Sequence, residues 1–153
     1  MNNKMKTEEF DEIRINDFTL ENKGVDNGVF WFVSKSLSTD FECEEGLERL
    51  AKDSEKKHLI WRHAHPLQTE HKIAHIFGTV VNSSVVDNHL VSKYVCYDHT
   101  EDHLEFIEII EKKLDVGDPL GISMHYRKYF TDATHEKVKH YDVFEHSVTP
   151  YPK

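Results

Sequence analysis

Hydrophobic and polar positions alternate with a period of two along most of this chain, and in two stretches the period lengthens to that of a helix. In "EIRINDFTLE" (12–21), Ile13 and Ile15 alternate, then Phe18 and Leu20 after a slip near Asn16, which predicts a strand with a bulge. "NKGVDNG" (22–28) is a turn cluster, and "VFWFVSKSL" (29–37) is rich in β-formers and predicts a strand. Leu47, Leu50 and Ala51 fall at helical spacing and predict a short helix near 44–53. "HLIWRH" (58–63) predicts a strand with Leu59, Trp61 and His63 on one face. Residues 73–82 and 84–99 predict further strands around turn residues. "TEDHLEFIEIIEKKLDVGD" predicts the clearest helix: Thr100 caps it, and Leu104, Ile107 and Leu114 mark its buried stripe, flanked by Phe106 and Ile110. Its acids come early and Lys112 and Lys113 late, and Gly117 and Pro119 end it. "LGISMHYRKYF" and "EKVKHYDVFEHSVTPYP" predict two closing strands. With no repeat and no linker, the pattern predicts one domain over 1–153, α+β and β-dominated: a small barrel or sandwich with helices on its outside.

Composition narrows the function classes. The chain has 153 residues, 38% hydrophobic and 31% charged, enough for a real core. No apolar run approaches the roughly 18–20 residues of a membrane span, and "MNNKMKTEEF" has no apolar signal region, so no membrane partner is expected. Cys43 and Cys96 are the only cysteines, which argues for free thiols in a reducing, intracellular setting. The net charge is −9 and no Lys/Arg cluster carries interleaved aromatics, which argues against a nucleic-acid surface. Twelve histidines are unusual, and protonating them would largely cancel that charge as pH falls through about 6.5.

Those histidines raise the question of chemistry. His63 and His65 in "LIWRHAHPLQ" have the spacing of a metal pair, and His71/His75 and His99/His103 lie four apart as on a helical face. No Glu completes a zincin order. "HAHP" looks like the His-x-His-Pro of deubiquitinase-type metalloproteases, but their Ser-x-x-Asp continuation is absent from "LQTEHKIAH". A zinc hydrolase using His63 and His65 stands as the second hypothesis. A nucleophilic serine needs a base within hydrogen-bond reach and a third group to orient that base. Ser123 sits mid-strand in "GDPLGISMHY" with no turn or cap to serve. There is no Gly-x-Ser-x-Gly elbow, which disfavours an α/β-hydrolase, and Cys96 in its apolar strand reads as an inert core thiol.

Taken in order, these pieces resemble the prohead (capsid-maturation) serine proteases of tailed viruses, relatives of the herpesvirus assemblins. The resemblance runs from about Phe30 to Pro152. "LIWRHAHP" is similar to the family's apolar strand ending in a histidine, and "IFGTV" to the Ile/Leu-Gly-x-Val after it. "GDPLGISMHY" resembles the Gly-x-Ser-x-x-aromatic strand, and "VKHYDVFEHSVTPYP" the closing strand. The resemblance implies a barrel-like, prohead-protease fold, with Ser123 as nucleophile, His63 as general base and Glu145 as the group that orients the base. His65 is the alternative to His63, and His146 and His140 compete with Glu145, because assemblins use a second histidine. The chain departs from the family at His125, where a glycine is usual, and period two puts His125 on the Ser123 face. Arg127, on that same face, is a candidate oxyanion donor. The resemblance further implies cleavage of capsid or scaffold segments inside a prohead in the host cytoplasm, self-cleavage and no cofactor. Sequence leaves open a homo-oligomer, and as a third hypothesis a virion domain whose protease site has decayed.

Overall fold

The computed structural model describes residues 6–11, 23–35, 44–61, 76–117, 120–131 and 138–149. Among these, the chain forms β1 (Lys6–Asp11), β2 (Lys23–Asp26), β3 (Val29–Lys35), α1 (Gly46–Ser54), β4 (His58–Trp61), β5 (Ile76–Val86), β6 (His89–Cys96), α2 (Glu101–Val116), β7 (Gly121–Phe130) and β8 (Val138–Thr149). The strands make one sheet in the order β1-β7-β8-β4-β5-β6-β3-β2. β4 runs parallel to β8, and the other neighbours are antiparallel. The fold is α+β and β-dominated, as the alternation predicts.

The sheet curls strongly. β6 and β8 are three strand spacings apart, about 14 Å along a flat sheet. Yet the Tyr94 hydroxyl of β6 lies 2.6 Å from Nδ1 of His146 on β8. Only a barrel-like curl brings those side chains together across the interior. Tyr94 also stacks on Phe32 of β3, with ring centroids 4.8 Å apart. Among the described residues the sheet is barrel-like but not closed, with β1 and β2 as its two edges.

Two apolar clusters make the core. One gathers Phe30, Phe32, Leu59, Val80, Ile122 and Val148 around Phe106, Ile110 and Leu114 of α2. The other sets Leu50 and Ala51 of α1 against Leu90, Met124, Tyr126, Tyr141 and Val143. Gly78 lets β5 and β6 meet closely, since a Cβ there would stand 2.2 Å from the Val95 carbonyl oxygen. At α2, the Thr100 hydroxyl accepts from the His103 N–H (3.1 Å), and Gly117 closes the helix in the left-handed region at φ 73°.

Several expectations need correction. Lys6–Asp11 is a strand although its side chains do not alternate, because an edge strand is held by main-chain pairing to β7. Within the expected turn 22–28, residues 23–26 pair with β3, and only Asn27 and Gly28 turn, both at positive φ. β5 does not stop at Asn82 but runs on to Val86, turning at Asp87 and Asn88. The buried stripe of α2 is His103, Phe106, Ile110 and Leu114, while Leu104 is 55% exposed. The strand expected at 12–21 lies outside the described residues.

Candidate active site

Ser123 lies on β7, paired in register with Ser147 of β8. Ser147 in turn pairs with Ile60 of β4, so the three make one row across three strands. His125 pairs with Glu145, which pairs with His58, in a second row. Cross-strand partners share a face, and residues two apart on a strand do too. Ser123, His125, Glu145 and Ser147 therefore occupy one face, with Ser123 and Glu145 as diagonal neighbours about 7–8 Å apart at Cα. That face is turned away from the cluster holding Ile122 and Val148. On that face Ile60 is 1%, Ser147 0% and Glu145 7% exposed, while His58 at the end of the second row is exposed.

A β-bulge makes this placement. Register shifts between His125 and Tyr126, where Phe144 is the extra residue on β8. Without it, Glu145 would share the face of Val143 and Tyr141, which point into the core. With it, those two face inward while Glu145 faces outward.

The structure separates the three candidates for the orienting group. Glu145 sits on the Ser123 face. His146 faces the other way, fully buried, its Nδ1 on the Tyr94 hydroxyl, which also shares a 3.0 Å hydrogen bond with Ser34. His140 pairs with Tyr129, six residues and about 20 Å of strand from Ser123. There it stacks on the Tyr129 ring (4.4 Å) and lies near the Glu45 and Asp142 carboxylates. Burial lowers its pKa from the usual 6.5, with help from Arg49, against Glu45 and Asp142. The Arg127 guanidinium stands 5.4 Å from the Phe144 ring, and its Cα is about 13 Å of strand from Ser123.

His63 and His65 lie outside the described residues, as do His71, His75 and Cys43. β4 leads toward His63, ending at Trp61 opposite Val148, one row beyond Ser147. Beside Trp61 opens a cavity of about 170 Å³ floored by Phe77, Phe106 and Ile109 and rimmed by Asp102 and Glu105 of α2. His99 and His103 form no ligand pair. Nδ1 of His103 accepts from the His99 backbone N–H (3.2 Å), and its Nε2 contacts the Ile76 carbonyl (3.0 Å). Among the described residues no three His, Cys, Asp or Glu side chains gather to hold a metal. Cys96 is buried at 3% exposure, and burial pushes its thiol pKa up, which suits an inert core thiol.

Sequence reasoning missed Ser147 and the buried pair of Ser34 and Tyr94 that meets His146. Ser147 carries no signal beyond its period-two spacing from Glu145.

The fold has a solved counterpart. The chain is similar in structure to the bacteriophage T4 capsid assembly protease, gp21, with a TM-score of 0.50 over 96% of this chain and 98% of that one, at 8% sequence identity. The barrel-like sheet with its helices is thus a prohead-protease-like fold. No family model matches the chain, and no curated protein matches it significantly.

Proposed function

We propose that this chain is a capsid-maturation serine endopeptidase that cleaves capsid or scaffold protein segments within an assembling viral prohead. The observation that carries the reading is the pairing of Ser123 with Ser147 on one face beside the buried Glu145, in a fold shared with a phage capsid assembly protease. Ser123 is the nucleophile, His63 at the continuation of β4 the base, and Glu145 the group that orients it. Ser123 Oγ attacks the scissile carbonyl carbon as His63 takes its proton. The imidazolium, stabilised by the Glu145 carboxylate, gives that proton to the leaving amine as the C–N bond breaks. Water, deprotonated by His63, then attacks the acyl carbon, and as the ester C–O bond breaks His63 returns the proton to Ser123 Oγ and the new carboxylate leaves. The attraction between a carboxylate and an imidazolium is stronger out of water, and it offsets the cost of burying the charge.

A small fluorophosphonate tests this without a known substrate. We expect one covalent adduct on Ser123, absent in Ser123→Ala and in His63→Ala, and slower to form in Glu145→Gln, with each variant folded by circular dichroism. Removing a base costs on the order of 10²-fold or more. An adduct that survives Ser123→Ala, or a wild-type protein that resists labelling and carries zinc, overturns the reading.

A further inference from the structure

We propose that Asp53, in the last turn of α1, is a positioning residue that fixes the bulge in β8 and so aims Glu145, the proposed orienting carboxylate. This rests on the proposed roles of Ser123, His63 and Glu145.

β8 is bonded along one edge by β7 and along the other by β4, but β4 starts only at His58, opposite Glu145. Below that point α1 and the turn before it take the place of a strand. The N–H groups of Glu44 and Glu45 donate to the carbonyls of Val138 and Lys139 (both 3.0 Å), and the Val143 N–H donates to Asp53 Oδ2 (2.6 Å). The bond at Val143 falls directly beside the bulge residue Phe144 that turns Glu145 outward. Four residues separate Asp53 from His58, in a turn where the Lys56 N–H donates to the Val80 carbonyl (2.7 Å), the Val80 N–H donates to the Lys57 carbonyl (2.9 Å) and Lys56 takes φ 68°. A single carboxylate thus anchors the bulge that aims Glu145, at the end of the helix that precedes β4.

An acid in this position has no local reason to be there. The C-terminal turn of a helix favours cations, and Lys52 is next to it. The long-range bond to Val143, 90 residues away, supplies the reason. Its effect is large because registers are discrete: a slip of one residue would bring His146 to the site face and bury Glu145 in the core.

The test is the rate and pH profile of fluorophosphonate labelling at Ser123 in wild type, Asp53→Ala and Asp53→Asn. Asparagine keeps an acceptor oxygen at the same place and alanine does not. We expect Asp53→Ala to label about tenfold or more slowly, with the acid limb of its profile displaced, while Asp53→Asn recovers most of the rate and the wild-type profile. A purely structural loss would lower Tm without moving the profile of the molecules still folded. Equal labelling and equal profiles in all three overturn the inference. If Asp53→Ala does not fold, hydrogen exchange in the wild type decides: a protected Val143 amide supports the anchor, and an amide that exchanges as if free overturns it. Failure of the inference alone shows as normal labelling in Asp53→Ala while Glu145→Gln still slows it. Failure of the functional reading shows as no Ser123 adduct in any form, and that removes both.

Discussion

At the scale of single residues, His140 gives a pH signature independent of catalysis. Its pKa lies below 6.5 in the folded protein, chiefly because it is partly buried and then because Arg49 is near. The unfolded chain therefore binds the proton first as pH falls. Stability from neutral His140 is complete above pH 6.5 and declines as pH drops below it toward the folded value. His140→Gln should flatten that part of a stability–pH curve from urea unfolding, and an unchanged slope would remove His140 as its cause. Tyr94 shows another residue-scale effect. Burial raises its phenol pKa, only partly offset by bonds with Ser34 and Ser92, so its hydroxyl stays protonated for Ser34 and His146. Ser123 and Glu145 were legible in the sequence as positions on strands. Their common face was not, because Phe144 looks like any other apolar residue on a strand, and whether a residue is looped out as a bulge depends on its partner strand.

At the scale of elements, local signals were strongest where local bonds do the work. Thr100 was legible as the cap of α2 because its hydroxyl serves an N–H only three residues on. Thr100→Ala should therefore cost about 1 kcal/mol, read as a lower urea midpoint with an unchanged slope; no change would mean another group satisfies that N–H. Orientation was less legible. Leu104, expected inside, is exposed, and His103 is buried in its place, held by Ile76 and ringed by Phe77 and Tyr97. Hydropathy ranks leucine above histidine, but the neighbouring aromatic strands decide which side of the helix is covered. β1 escaped the pattern for a similar reason: an edge strand needs a partner's main chain more than an apolar face.

At the scale of the molecule, charge and open edges act together. Among the described residues the sheet ends at β1 and β2, and β2 carries Val25 at 62% exposure with Val29 of β3 beside it at 41%. An open edge is a template for pairing, and net charge opposes association. The charge is −9 with all twelve histidines neutral, so it approaches zero as they protonate. Light scattering should therefore rise as pH falls from about 7 toward 6, and salt should raise it at neutral pH by screening. A flat profile would mean the edges are covered.

Sequence alone determined what local physics decides: the alternation that makes an α+β, β-dominated chain, both helices, the caps of α2, and the strands that carry Ser123 and Glu145. Those features depend on neighbours within a few residues. Only the tertiary structure decided the parallel pairing of β4 with β8, the bulge at Phe144, the burial of His146 against Tyr94 and the bond from Asp53 to Val143. Each joins groups far apart in the chain, and each is set by which partner strand closes over which edge.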